Sequence, residues 1–200
     1  MSKKISNTKR MLIEVARTLF AKSGKKEVTM NDIAEASQKG RRTLYTYFNN
    51  KEEIYKAVIE KELNTVYEQL KASASSQEAP DVRLTNHITV HLDAIITIVT
   101  RNGSLRADFF RDIYEVERSR RKVDMKEIEI LKSILRDGIE TRVFKPMDVE
   151  LSSLIIFYAL KGLEVPYIRQ NLSDRFEHNK YRIVEFVFNG IRRRNSNGEE

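Results

Sequence analysis

Arg41, Arg42 and Thr43 open a short helical stretch that also carries Tyr45 and Tyr47, with Lys51 just beyond it. Two neighbouring guanidiniums, three hydroxyls and an amine within eleven residues suit a polyanion better than a reaction. Arginine can donate two parallel hydrogen bonds to guanine O6 and N7. Hydroxyls and an amine at a helix start suit phosphate oxygens, which position a protein without reading sequence. The charge distribution agrees. Residues 1–51 hold twelve Lys/Arg against four acids, so this quarter carries +8 while the other 149 residues carry −1 of the total +7. Positive charge concentrated in one part of a chain marks a module facing nucleic acid.

The chemistry of catalysis lacks its parts. There is no cysteine, no His-Glu-x-x-His and no glycine-rich phosphate loop, and the three histidines lie at 87, 91 and 178. His87 and His91 stand four apart, on one face of a helix, a spacing that can hold a metal. No third ligand accompanies them at a matching spacing, so they read as a structural or surface pair. No catalytic residue, metal or cofactor is therefore expected. No apolar run approaches the ~18 residues that span a bilayer, and no secretory signal opens the chain. A cytoplasmic protein with no membrane partner is expected.

The elements that must position these residues are helices throughout. Leu12, Val15, Ala16, Leu19 and Phe20 form one apolar stripe, predicting a helix over 8–23 that stops at Gly24. Thr29, with Asp32 three residues on, is an N-cap in a capping box and starts a second helix. Gln38-Lys39-Gly40 makes the turn, and a third helix covers 41–47 with Leu44 and Phe48 facing the core. A long amphipathic helix follows from Lys51 to about 75. Ser75–Asp81 is the linker, and further helices are predicted over 82–100, 104–116, 118–141, 148–168, bent or ended near Pro166, and 175–193. The fold class is all-α with about nine helices.

Thr29-Met-Asn-Asp-Ile-Ala and Thr43-Leu-Tyr-Thr-Tyr-Phe-Asn-Asn-Lys-Glu resemble the tetracycline-repressor (TetR) family of bacterial transcription regulators, whose pattern runs T-x-x-x-I-A followed by T-L-Y-x-Y-F-x-x-K-E. The resemblance implies a three-helix helix-turn-helix DNA-binding domain over 1–51, with a connecting helix over 51–75. It also implies a helical ligand-binding and dimerisation domain over 76–200. By the same resemblance Thr29 caps the second helix and contacts phosphate. Thr43, Tyr45 and Tyr47 touch backbone or bases, and Lys51 grips phosphate. Base reading by Arg41 and Arg42 follows from their chemistry instead. The family turn has Gly-Val-Ser where this chain has Gln38-Lys39-Gly40, so the glycine suited to positive φ is displaced by two.

Two later segments are apolar on too many sides for a simple amphipathic helix: 151–163 and 183–191. A helix apolar all round is buried all round, and in a body this small a second subunit is the simplest cover. Leu154, Phe157, Tyr158, Val184, Phe188 and Ile191 are the expected interface of a homodimer. The resemblance implies a pocket for a small-molecule effector among residues 82–141, with His87, His91, Phe109, Phe110 and Tyr114 as candidate lining. The expected function is a dimeric repressor, released from a palindromic operator on double-stranded DNA by its effector. An activator, a sequence-neutral DNA-binding protein, and an all-helical enzyme with an incidental basic face are the alternatives.

Overall fold

The computed structural model describes residues 6–75, 77–102, 113–170 and 173–193. They form eight helices: α1 (Asn7–Ser23), α2 (Met30–Ala36), α3 (Arg41–Tyr47), α4 (Lys51–Ala74), α5 (Pro80–Asn102), α6 (Ile113–Glu140), α7 (Val149–Gln170) and α8 (Ser173–Ile191). Among the described residues there is no strand beyond one isolated bridge between Phe144 and Arg192. The all-α class is as expected, and the described residues hold eight helices rather than about nine. The helix predicted over 118–141 begins earlier, at Ile113, and most of the one predicted over 104–116 lies outside the described residues. The polar run Arg118-Ser-Arg-Arg contains neither glycine nor proline and therefore does not stop a helix. Helix α7 likewise runs on through Pro166 to Gln170.

The chain divides into two compact units, one comprising 1–64 with 98–121, the other 65–97 with 122–200. In the first unit, Ser6 caps α1 by accepting from Lys9 N at 3.2 Å, and Gly24 ends it at φ 81°, where only glycine is unstrained. Leu12, Ala16 and Phe20 bury one face of α1 together with Ile33, Leu44, Phe48, Ile54, Tyr55 and Val58. Phe20 meets Tyr55 edge-on at 5.9 Å. Glu14, on the same helix, binds Lys61, Arg17 and Arg101. Partial burial raises its carboxyl pKa, and these three cations overcome that, leaving it at about 2.

In the second unit, Leu84, Ile88 and Leu92 of α5, Leu131, Ile134 and Leu135 of α6, Ile156, Phe157 and Leu160 of α7, and Val184, Phe188 and Ile191 of α8 share one core. The α6–α7 turn is fastened to the end of α8 by Lys145 N donating to Ile191 O (3.0 Å) and Arg193 N to Val143 O (3.4 Å). Phe144 in that turn lies directly over Gly138, where an added Cβ would come within 2.0 Å of Phe144 Cδ2. Gly138→Ala is therefore expected to destabilise the second unit by about 1–3 kcal/mol through overpacking, despite alanine's better helix propensity. Urea denaturation monitored by circular dichroism measures this.

Candidate functional site

The reader segment is held from behind by its own caps. Thr29 Oγ1 accepts from Asp32 N (3.2 Å), while Asp32 Oδ2 accepts from Thr29 N (2.8 Å), a reciprocal box that starts α2. The Thr29 backbone N–H, and then its hydroxyl donating to Asp32 Oδ2 at 2.8 Å, hold the Asp32 carboxyl below its usual pKa. At the start of α4, Asn50 Oδ1 accepts from Glu53 N (2.9 Å), and Glu53 accepts from Asn49 N (2.9 Å). Leu44 and Phe48 anchor α3 in the core.

The opposite side of α3 is left open. Arg41, Arg42 and Tyr45 are exposed, and Thr43 and Tyr47 are half-buried. Lys51 Nζ donates to Lys26 O (3.1 Å), which fixes its amine beside the α1–α2 connection and within electrostatic reach of Asp32. Thr29 is exposed at the head of α2. All seven residues singled out from sequence thus lie on α3 or at the helix starts that flank it, in the unit that holds the charge excess.

The turn resolves differently from the displaced-glycine expectation. Helix α2 closes with Gln38 N donating to Glu35 O (2.9 Å) and Lys39 N to Ala34 O (3.2 Å), the Schellman pattern. The left-handed residue that this pattern needs is Gln38, at φ 53°, not a glycine. Gly40 sits at φ −59° as the N-cap of α3, with no side chain to cap the helix. The strain at Gln38 costs about 1–2 kcal/mol, and glycine's greater unfolded-state freedom offsets 0.5–1 of that. Gln38→Gly is thus expected to stabilise the first unit by roughly 0.5–1 kcal/mol, read as a higher melting temperature.

This unit of short helices, with the third helix's basic side open, matches known proteins. A family model described as "Bacterial regulatory proteins, tetR family" covers residues 12–58. The N-terminal part of the chain is thus similar to that family. The chain is 29% identical over 155 residues, 74% of its length and 78% of the other's, to YhgD of Bacillus subtilis, an uncharacterized HTH-type transcriptional regulator. A transcriptional regulator from Cytophaga hutchinsonii superposes with a TM-score of 0.79 at 22% identity, over 94% of this chain and 100% of that one. FadR from Bacillus subtilis, solved in complex with stearoyl-CoA, superposes at 0.69 and 19% identity, over 90% and 98%. These likenesses are to transcriptional regulators, the curated relative being of helix-turn-helix type.

In the second unit the expected pocket residues are only partly visible. Phe109, Phe110 and the Tyr114 side chain lie outside the described residues. His87 and His91 on α5 are buried, together with two residues that sequence reasoning missed, Glu127 of α6 and Glu164 of α7. His91 Nδ1 hydrogen-bonds Glu127 Oε1 at 2.5 Å, and its Nε2 lies 3.2 Å from Glu164 Oε1. His87 Nε2 lies 3.4 Å from Glu127 Oε1, yet neither ring nitrogen of His87 makes a hydrogen bond. Burial lowers the His91 pKa, but Glu127 and Glu164 outweigh it and raise the imidazole to about 9. Glu127 is held well below the usual carboxylate range, its burial opposed chiefly by His91. The signal for these acids was present in the sequence. Glu127 falls between Val123 and Leu131, and Glu164 four residues after Leu160, on stripes that are otherwise apolar.

The residues named for a dimer contact divide into two sets. Phe157, Val184, Phe188 and Ile191 are buried in this chain's own core, whereas Leu154 and Tyr158 are not. Helix α7 carries two stripes. One is internal and the other, Leu151, Leu154, Ile155 and Tyr158 at i, i+3, i+4 and i+7, faces outward, with Leu151 55%, Ile155 59% and Tyr158 61% exposed. Phe186 and Tyr181 of α8 are also exposed. Among the described residues no helix is long and apolar enough to cross a membrane.

Proposed function

We propose that this regulator is a homodimeric repressor that binds a palindromic operator through α3 and is released from it by a small-molecule effector. The observation that carries the reading is the open side of α3. Arg41 and Arg42 are exposed at its start, where helix-turn-helix proteins meet base edges. Thr29, Thr43, Tyr45, Tyr47 and Lys51 flank them as phosphate or base contacts. Residues 1–51 act as the reader, 51–75 as the connecting helix and 76–200 as the effector-binding and dimerising body.

The outward apolar stripe of α7, with Phe186 and Tyr181 of α8, is the surface that pairs two chains. A four-residue stripe of this kind on one helix is costly to leave in water. Pairing two chains places two recognition helices on half-sites ~34–36 Å apart or a multiple of that. The stearoyl-CoA complex of FadR supports an effector in the body. Within the first unit, Arg101 of α5 donates to Glu14 of α1 (3.0 Å), and its carbonyl accepts from Arg17 (3.2 Å).

Selection of bound sequences from a random duplex pool tests the reading. A palindrome is expected, with binding that survives random competitor DNA. A pool that stays random after selection would mean a sequence-neutral DNA binder. Activation rather than repression would appear as operator binding that raises transcription of the adjoining gene.

A further inference from the structure

Glu14 is one of four acids among residues 1–51, and it serves neither a helix cap nor a DNA contact. Its carboxylate gathers cations from three helices. Arg17 Nε, one turn along α1, donates to Oε1 at 2.7 Å, and Arg101 Nη2 of α5 donates to the same oxygen at 3.0 Å. Lys61 Nζ of α4 donates to Oε2. Lys61 and Arg101 lie 47 and 87 residues away in sequence. Arg17 Nη1 closes the ring by donating to the Arg101 carbonyl at 3.2 Å. That carbonyl is among the last four of α5, which find no partner inside the helix. Arg17 thus holds the end of α5 by its backbone while Glu14 holds it by its side chain. All four residues belong to the first unit.

Ion pairs open to water contribute little to stability, and the Glu14, Lys61 and Arg101 side chains are 36–40% exposed. What the network supplies is direction, because a guanidinium and a carboxylate bond in few geometries. We propose that Glu14 is a positioning residue that fixes the stance of α1–α3 on α4 and the last turn of α5, and so sets the half-site spacing that the regulator accepts. This rests on the operator-binding pair of chains proposed above. Helices α1 and α4 meet at two points. Phe20 against Tyr55 is the apolar one, and Glu14 with Lys61 lies six residues along each helix from it, roughly 9 Å away. One point alone leaves a pivot; two fix the crossing angle. Leu44 and Phe48 bury α3 in the same core as α1, so α3 follows α1. One base pair more or less between half-sites turns the second by roughly 35° and shifts it by about 3.4 Å. A reader of fixed stance cannot follow that change, and a pivoting one can.

The test uses the full chain and its Glu14→Ala and Arg101→Ala variants. Fluorescence anisotropy measures binding to the selected operator, to versions with one base pair inserted or deleted between half-sites, and to a duplex with a single half-site. The unsubstituted chain should prefer the selected spacing by roughly tenfold or more, a share of the avidity of two linked readers. Glu14→Ala should cut that preference to about threefold or less, and Arg101→Ala should act in the same direction. Both should melt cooperatively and keep the half-site affinity and base preference, since neither residue faces DNA and alanine is a good helix former. A spacing preference undiminished in Glu14→Ala overturns the proposal, because a merely structural bond would leave it so. A changed base preference overturns it too, since the effect would then lie in the contacts of α3 and not in its stance. If the unsubstituted chain itself shows no preferred spacing, the paired-operator reading fails and this role of Glu14 fails with it.

Discussion

Ile155→Asp is expected to leave each chain folded, halve the mass in solution and weaken operator binding by roughly 10²–10⁴-fold. The residue is 59% exposed in the single chain, so a charge there disturbs no internal contact. Between two α7 helices the same carboxylate would be desolvated against the apolar Leu151, Leu154 and Tyr158, at a cost of several kcal/mol. Tyr158→Asp should behave alike. The loss in DNA affinity follows because two linked readers bind with an avidity of order 10²–10⁴ beyond one. Light scattering gives the mass, against 23.4 kDa for one chain, and fluorescence anisotropy gives the affinity. A dimer that survives both substitutions would place the pairing surface elsewhere.

Glu127→Ala carries the largest expected loss of stability, about 3–5 kcal/mol. Its carboxylate is the partner of His91 at 2.5 Å and lies 3.4 Å from His87, both buried. Removing it leaves the buried His91 imidazolium with Glu164, 3.2 Å away, as its remaining carboxylate partner, and truncates a buried side chain. Urea denaturation measures the change. His87→Leu, which removes a buried ring that makes no hydrogen bond, is expected to cost nothing, and that contrast within one cluster separates paired from unpaired buried groups.

The reader was legible because its signals are local. A capping box needs only Thr29 and Asp32, a stop needs only Gly24, and a recognition helix needs its first residues. Gln38 was not legible, since occupying the left-handed region requires that the α2 cap outweigh its own strain, and that is a property of the folded turn. The second unit was readable as helices but not by face. The apolar runs in α7 and α8 announced two buried sides, yet only packing decides which side meets this chain and which meets another. Phe157 and Ile155 are two residues apart and face opposite ways. The long α6 was divided at Arg118–Arg121 because charge there reads as a connector, although arginine is a good helix former. Glu127 and Glu164 were not singled out, because an acid on an apolar stripe gains meaning only when its histidine, 36 or 73 residues away, is brought beside it.

The central claim is that α3 reads bases while its flanks grip phosphate. Binding of Arg41→Ala, Arg42→Ala and Lys51→Ala to the selected operator and its single-base variants, over a range of salt, tests it most directly. Lys51→Ala should weaken every sequence alike and lower the salt slope by about 1, and at least one arginine variant should lose discrimination at a single base pair, worth about 1–3 kcal/mol. If both arginine variants weaken all sequences equally, they are phosphate contacts and the base-reading assignment fails. If none of the three changes binding, α3 is not the DNA-facing surface.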